Sequence, residues 1–303
     1  MRLVRFYLPG VGTRMGLWRD SEVVDLTSMD ENLFCCFTEL LRQTYVMGAP
    51  IEEIVNEQVE GHRGVSKHYE YSLLDRPPSQ TEPHLLMPLK PLEVWGAGIT
   101  YIRSRAARET ETKAKGIYAW LYDAARPEIF FKATASRCVG PNEAICIRSD
   151  STWTVPEPEL AFILGDKEDI IGFTVGNDVS CRDIEGENPL YLPQAKIYKG
   201  CCALGPSIAT SSSICDPRNL SIECKVTRND QSVFEGKTNT SFLKRSLEEL
   251  TTYLCRDNPV PLGTVFLTGT GVVPPDMFAL NQGDIVEINI EGIGTLRNPV
   301  VQL

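Results

Sequence analysis

The sequence predicts an α+β fold that is mostly β, with a small α+β domain at the N-terminus and a larger strand-rich domain after it. From residue 85 onward, short runs of strand-forming residues are separated by Gly and Pro turn signals, as in residues 284–297. Helical periodicity is concentrated in the first 75 residues and in one later segment, residues 244–255. A chain of 303 residues is long enough to bury a substantial core.

The N-terminal part carries the signals of both strands and helices. Residues 3–7 and 22–26 are short runs of strand formers, whereas residues 33–45 and 51–59 are amphipathic with a helical period. The Pro-rich stretch at residues 76–84 is typical of a linker. We therefore predict an α+β domain over residues 1–75, a linker over 76–84, and a second domain over 85–303.

Composition excludes several classes of protein. The 40 acidic and 30 basic residues give a formal charge of −10, which argues against nucleic acid or an anionic membrane as a partner. No apolar stretch approaches the length of a membrane span, and the first ten residues do not resemble a secretory signal. The ten cysteines include no Cys-x-x-Cys pattern, so reduced thiols and a cytoplasmic location are expected.

Three carboxylates are the strongest functional signal. Glu157 and Glu159 alternate with prolines just before a run of strand formers, and Asp178 follows a second apolar run at residues 170–175. Side chains two positions apart lie on one face of a strand, so Glu157 and Glu159 are expected side by side. A cation between them would relieve their repulsion. An all-oxygen ligand set favours Mg2+, with Mn2+ or Ca2+ as alternatives, over zinc.

A Glu-x-Glu pattern also occurs on ordinary solvated strand faces, and this alternative has to be weighed. Pro156 and Pro158 cannot donate to a sheet ladder, so the segment is an edge or the first part of a strand. The start of a strand can open onto a pocket, which favours a metal site.

Four segments also resemble the fumarylacetoacetate hydrolase superfamily, and the resemblance extends from about residue 92 to the C-terminus. They are residues 156–161 (PEPELA), 176–183 (GNDVSCRD), 194–200 (QAKIYKG) and 267–275 (LTGTGVVPP). Residues 126–134 (RPEIFFKAT) and 188–196 (NPLYLPQAK) resemble the branch of 2-keto-3-deoxy-arabinonate dehydratases and diketo-deoxy-sugar-acid hydrolases. The resemblance implies a mixed β-sandwich roll over residues 85–303 and a metal bound by Glu157, Glu159 and Asp178.

One departure from the hydrolases of the superfamily bears on the reaction. Where those enzymes usually carry an Asn-Tyr-x-x-His pattern that activates water, this chain has Thr100, Tyr101 and then Ser104. A serine hydroxyl cannot by itself act as that general base near neutral pH. The resemblance then implies a lyase that acts on a 2-keto acid rather than a hydrolase of C–C bonds.

Two residues are candidates for the proton transfers of such a lyase. Glu128 lies in the segment that resembles the dehydratases, in aromatic surroundings that could raise its pKa, and would take a proton from C3 of the substrate. Lys196 matches a lysine that lies beside the metal in the family. It would hold the enolate charge or protonate the departing C4 hydroxyl. Both could instead be solvated surface groups.

Four residues are weaker candidates for binding the substrate. Thr270 lies in a Gly-rich segment and matches a threonine that binds the substrate carboxylate in relatives. Arg103, Arg105 and Lys132 would supply the positive charge that an anionic substrate needs. An ordinary turn and ordinary surface cations are the alternatives.

Three functions remain open at this point. The first is Mg2+-dependent dehydration of a 2-keto-3-deoxy sugar acid to a semialdehyde, and the second is hydrolysis or decarboxylation of an acylpyruvate-like diketo acid. The third is a non-catalytic metal-binding protein, because Lys199 and Cys202 stand where relatives often have Asp and Ser. For an enzyme we expect a small anionic 2-keto acid as substrate and a homodimer or homotetramer.

Overall fold

A computed structural model describes residues 1–102, 123–166 and 168–303, and this part of the chain is built mainly from strands. Twelve of these strands form one large sheet: β1 (Arg2–Leu8), β2 (Gly12–Arg19), β3 (Glu22–Asp25), β4 (His68–Glu70), β5 (His84–Leu86), β6 (Val94–Gly98), β7 (Glu128–Ala133), β8 (Cys138–Val139), β11 (Pro158–Leu164), β12 (Ile170–Asp178), β14 (Cys202–Thr210) and β17 (Val265–Leu267). Five form a second sheet: β9 (Ile145–Ile147), β15 (Ser221–Arg228), β16 (Gln231–Asn239), β18 (Ile285–Ile290) and β19 (Gly294–Gln302). A two-stranded ribbon pairs β10 (Thr154–Val155) with β13 (Ser180–Cys181).

The helices of the described part are short. They are α1 (Phe37–Met47), α2 (Ile51–Gly61), α3 (Tyr71–Leu74), α4 (Arg182–Glu187), α5 (Leu192–Lys196) and α6 (Leu247–Cys255). Single 3-10 turns lie at Leu26–Ser28, Ala135–Arg137, Pro189–Tyr191, Ser211–Ser213 and Thr240–Phe242. None of the described helices is long and apolar enough to cross a membrane.

Both larger sheets are mixed. The large sheet runs in the order β4-β3-β2-β1-β14-β12-β11-β17-β6-β7, with β5 on β1 and β8 on β14. Its pairs are antiparallel except β17 with β6 and β14 with β8. In the second sheet, ordered β16-β15-β18-β19-β9, only β19 and β9 run parallel among the described strands. The predicted fold class, α+β and mostly β, is confirmed.

Successive side chains of β11 show which parts of the molecule pack on the two faces of the large sheet. Leu160 and Phe162 point into a core shared with the five-stranded sheet, which contributes Ile222 among others. Ala161 and Ile163 point to the opposite side and join a core that includes side chains of α1 and α2. Because neighbouring side chains of a strand face opposite ways, a continuous apolar run of this kind fits a strand buried on both faces.

The N-terminal elements agree with the sequence in type. Strands β1 and β3 and helices α1 and α2 are confirmed, and β2 is a further strand. Strand β1 pairs with β14, and β5 at the end of the predicted linker pairs with β1. The large sheet therefore runs through both predicted domains, and the division of the chain at residues 76–84 stays a prediction.

Two predicted helices begin later than expected. Helix α1 begins at Phe37 rather than at residue 33, because residues 31–35 form a turn. Helix α6 begins at Leu247 rather than at residue 244, because the Ser246 hydroxyl accepts a hydrogen bond from the Glu249 amide. A serine at this position satisfies an amide that has no partner inside the helix.

The pairing of β11 with β12 places the predicted carboxylates. The strands are antiparallel, and Pro158 faces Asn177 while Glu159 faces Gly176. The beginning of one strand therefore lies beside the end of the other, and Asp178 donates its amide to Glu157 O at 3.0 Å. The two prolines mark the beginning of a strand inside the sheet and not an edge strand.

Candidate active site

One cavity at this end of the large sheet collects most of the predicted site residues. Six of them line it: Glu128, Glu157, Glu159, Asp178, Lys196 and Thr270. The remaining walls come from β6, β7, the helices α4 and α5, and the Gly269–Thr270 turn. Arg103, Arg105 and the departure at Ser104 lie outside the described residues.

Glu157, Glu159 and Asp178 meet as a buried group. One carboxylate oxygen from each lies within 4.8 Å of the others, and each side chain is almost completely buried. Glu159 Oε2 accepts a hydrogen bond from the Gly269 amide at 2.6 Å. The backbone of Glu157 is held as well, because its amide donates a hydrogen bond to Asn177 Oδ1 at 3.1 Å.

The electrostatics of this group fit a hard cation. Burial, together with the charges of Asp178 and Glu157, raises the pKa of Glu159 well above its ordinary value. The folded chain thus disfavours a third negative charge here when no cation is present. A divalent ion relieves that penalty, and three carboxylate oxygens are the ligands that Mg2+ prefers. The donor set therefore fits Mg2+.

Lys196 lies inside this group rather than on the surface. Its ammonium donates to Glu157 Oε2, to Asp178 Oδ2 and to Ser180 Oγ, each at 2.7 Å. Phe130 covers another side, with its ring centre 5.2 Å from Nζ. The residue as a whole is 2% exposed, so the solvated alternative for this lysine does not hold.

Lys132 differs from its expected role as a substrate contact. It is fully buried and lies behind Asp178, with Nζ 2.5 Å from Asp178 Oδ1. The ammonium also donates to Val179 O at 2.9 Å and to Lys196 O at 2.7 Å. Burial, the largest single effect, lowers its pKa, but the Asp178 carboxylate together with Cys201 and Cys202 more than compensates and the pKa is raised. These contacts hold Asp178 and the end of α5 in place.

Glu128 and Thr270 both line the cavity. Glu128, the first residue of β7, is partly buried and pairs across the sheet with Gly98. The Thr270 hydroxyl donates to Val272 O at 3.3 Å and accepts from the Val272 amide at 3.1 Å. The preceding Gly269 has a φ of +91°, and a side chain there would collide with Thr100 Oγ1. This turn therefore needs glycine.

The cavity contains two charged residues that the sequence analysis did not single out. Arg182 donates to Glu157 Oε1 at 2.8 Å, and both Arg182 and Glu185 are buried in the cavity wall. They lie on α4, which begins four residues after Asp178. Arg182 belongs to the GNDVSCRD segment, which was an available signal, whereas Glu185 lies two residues beyond that segment. Their burial depends on how α4 folds back over the site.

Two departures from relatives lie outside the cavity wall. Lys199 is exposed, three residues beyond Lys196. Cys202 is buried in β14 as the strand partner of Asp178. Solvent screens the charge of Lys199, and neither residue lines the cavity as described. Neither departure removes a carboxylate or a cation from the site.

Comparison with known proteins adds three findings. The family model of the C-terminal domain of fumarylacetoacetate (FAA) hydrolase matches residues 100–301. A Haloferax volcanii protein described as "Probable 2-keto-3-deoxyxylonate dehydratase" is 45% identical over 95% of both chains. The 2-dehydro-3-deoxy-D-arabinonate dehydratase of Saccharolobus solfataricus is 54% identical over 70% of this chain and 73% of its own length.

A solved structure is similar over the whole chain. It is a 2-keto-3-deoxy-D-arabinonate dehydratase complexed with magnesium and 2,5-dioxopentanoate, with a TM-score of 0.82 and 41% identity. The alignment covers 100% of this chain and 99% of the other.

Proposed function

The chain belongs to the fumarylacetoacetate hydrolase family, and on that premise we propose that it is a Mg2+-dependent dehydratase of 2-keto-3-deoxy sugar acids. The observation that carries this proposal is the buried group of Glu157, Glu159 and Asp178, joined by Lys196 in one cavity with Glu128. The similar dehydratase that was solved with magnesium and 2,5-dioxopentanoate supports both the cofactor and the product class. The enzyme is then a hydro-lyase.

Glu157, Glu159 and Asp178 would hold the Mg2+ ion. When bound, it supplies a Lewis acid that polarises the C2 ketone of a 2-keto acid and makes the C3 protons more acidic. Glu159 is fixed by the Gly269 amide, Glu157 by Arg182, and Asp178 by Lys132. Each carboxylate therefore has at least one protein contact that holds its position, which lowers the cost of organising the site.

Glu128 is the proposed general base. The C3–H bond of the substrate breaks, and its proton passes to the Glu128 carboxylate. This residue lies in the cavity wall on a strand, whose backbone holds it more firmly than a loop would. A positioned carboxylate contributes about two to four orders of magnitude to such a proton transfer.

Lys196 is the proposed acid. The C4–O bond breaks, and the leaving hydroxyl takes a proton from the Lys196 ammonium to depart as water. Loss of water leaves an unsaturated 2-keto acid with a C3=C4 double bond. Transfer of a proton from C5 to C3 moves the double bond to C4=C5, and tautomerisation of that enol gives a semialdehyde such as 2,5-dioxopentanoate. Three oxygen acceptors and the Phe130 ring surround Nζ, and this environment keeps the ammonium directed at the site.

Substrate binding would involve Thr270 and Arg182, which also line the cavity. The Thr270 hydroxyl would donate a hydrogen bond to the substrate carboxylate. Arg182, which is hydrogen-bonded to Glu157, would add positive charge. Arg103 and Arg105 keep their predicted role as carboxylate ligands. A cytoplasmic location and a homodimeric or homotetrameric assembly also stay predictions.

The experiment that tests this function is a screen of 2-keto-3-deoxy pentonates and hexonates with Mg2+, following semialdehyde formation with a carbonyl reagent. We expect turnover of at least one of them, loss of that turnover with EDTA, and recovery when Mg2+ is added back. A diketo acid of the acylpyruvate type serves as the control substrate. Cleavage of that compound, with no semialdehyde from any sugar acid, would support the hydrolase alternative instead.

A further inference from the structure

The wall that carries Glu128 has an unusual pairing of side chains. Strands β6 and β7 are antiparallel, with Gly98 opposite Glu128 and Gly96 opposite Phe130. Directly opposed residues on one face of a sheet normally pack side chain against side chain. Here two glycines face two large side chains, and both large side chains line the cavity.

The carboxylate of Glu128 occupies the space that a side chain at position 98 would need. A Cβ atom on Gly98 would collide with Glu128 Oε2 and lie 2.6 Å from Glu128 Cδ, far inside ordinary contact. The three atoms nearest to that Cβ all belong to Glu128. Gly98 has no left-handed φ, so its backbone does not require glycine. The one evident need for glycine here is the Glu128 carboxylate.

The neighbouring pair repeats the arrangement with an aromatic ring. A Cβ atom on Gly96 would lie 2.8 Å from Phe130 Cζ, so the ring rests on the backbone of Gly96. Phe130 in turn covers the Lys196 ammonium. Two glycines of one strand thus set how deeply two β7 side chains sit in the cavity wall.

We propose that Gly98 is a positioning residue for the dehydration, acting through Glu128. The absence of a side chain lets the Glu128 carboxylate lie against β6 in the wall of the cavity, beside the metal-binding carboxylates. A methyl group at position 98 displaces the carboxylate from that place. The inference rests on the proposed function, because it takes Glu128 as the general base.

Such a displacement should affect catalysis without harming the fold. The atoms that the methyl group meets are the far end of a flexible, partly exposed side chain, which can rotate away. Replacing a glycine in a compatible strand conformation also reduces the conformational freedom of the unfolded chain. We therefore expect the thermal unfolding temperature of Gly98→Ala to equal or exceed that of the wild type.

The test is a double-mutant cycle on the Mg2+-loaded enzyme with Gly98→Ala, Glu128→Gln and the combined variant. We expect Gly98→Ala to lower kcat by about a hundredfold, the scale of a misplaced catalytic group, with KM and Mg2+ affinity unchanged. In the Glu128→Gln background the same substitution should change kcat less than about twofold, since the base is already gone. Gly61→Ala, where a Cβ atom meets nothing within 4 Å, is the matched control.

A second readout isolates the proton transfer. 2-Oxobutyrate has C3 protons but no C4 hydroxyl, so its exchange of C3 protons for deuterium in D2O reports deprotonation alone. We expect Gly98→Ala to slow this exchange by the same factor as kcat. An unchanged exchange rate would overturn the inference.

Other outcomes separate this inference from the proposed function. If Glu128→Gln is inactive but Gly98→Ala keeps wild-type kcat, Glu128 remains the base and only the positioning role is wrong. Additive losses in the cycle, or loss of cooperative unfolding in Gly98→Ala, would also overturn it, because the glycine would then act on packing. If Glu128→Gln keeps wild-type kcat, the base assignment itself fails and the inference with it.

Discussion

Two lysine–glutamate pairs in this molecule have nearly the same geometry and opposite surroundings. Lys196 lies 2.7 Å from Glu157 in the cavity, with exposed fractions of 3% and 5% for the two side chains. Lys237 lies 2.6 Å from Glu223 on the outer face of the five-stranded sheet, where the exposed fractions are 67% and 53%. The two nitrogen–oxygen distances are nearly the same, and the burial of the two pairs is what differs.

The exposed pair belongs to a ladder of charged side chains on this face, and the neighbouring row alternates in sign across β16, β15, β18 and β19 as Glu235, Lys225, Glu287 and Arg297. Water screens these charges, and exposed pairs of this kind contribute about 0–1 kcal/mol to stability. In the cavity, both partners are removed from water, and each depends on the other for compensation. The exposed ladder keeps its sheet face solvated. The buried carboxylates and Lys196 instead form a group of charges that could hold a metal ion.

The largest expected difference between the two regions concerns the metal. Glu159→Gln removes a ligand from the buried group, and we expect loss of measurable Mg2+ binding and of all turnover. Glu223→Gln removes a carboxylate from the exposed ladder and should leave both unchanged. Isothermal titration with Mg2+ measures the affinity of each variant. Wild-type Mg2+ affinity in Glu159→Gln would contradict the assignment of the metal site.

A second comparison concerns the proposed base. Glu128→Gln keeps the shape of the side chain, and we expect Mg2+ affinity to stay the same while kcat falls by about two to four orders of magnitude. Glu235→Gln, in the exposed ladder opposite Lys225, is the control and should keep full activity. Steady-state kinetics with the best sugar acid from the screen provides the measurement. More than half of the wild-type kcat in Glu128→Gln would remove this residue from the mechanism.

The smallest expected effect compares the two lysines in the Mg2+-free protein. Lys196→Met leaves Glu157 and Asp178 without their shared cation, and should lower the free energy of unfolding by about 3–5 kcal/mol. Lys237→Met should change it by less than about 1 kcal/mol. Urea unfolding measures both. Saturating Mg2+ should recover part of the loss in Lys196→Met, and equal effects for the two lysines would show that burial is not the deciding variable.

The sequence distinguishes these regions by the pattern around the charges. In β15 charged and apolar residues alternate, and Glu223 and Lys225 come out exposed as that pattern predicts. Strand β11 is buried along its whole length, and Glu159 is an acid inside that run. An acid in a continuous apolar run is costly unless a ligand compensates it, and so a candidate metal site could be predicted from the sequence.

Other features depend on pairings that a local pattern does not contain. The pairing of β1 with β14 joins residues about 200 positions apart, which local periodicity cannot indicate. The direction of Lys132 is a second case, because a β-bulge opposite Val94 and Trp95 turns it toward Asp178 and away from the cavity. Sequence identified Lys132 as a cation of the site but could not say on which side of Asp178 it lies.

The buried Lys132 also fixes the register of its strand, β7, in the large sheet. Strand β7 is the last in the order of the described large sheet, where a slip by one residue meets little resistance from a further neighbour. Such a slip would exchange Glu128 and Phe130 for Ile129 and Phe131 in the cavity wall. It would also pull the Lys132 ammonium away from Asp178, Val179 O and Lys196 O and leave a charge buried without compensation. The register that places Glu128 and Phe130 in the cavity wall is therefore the one in which the Lys132 charge is compensated.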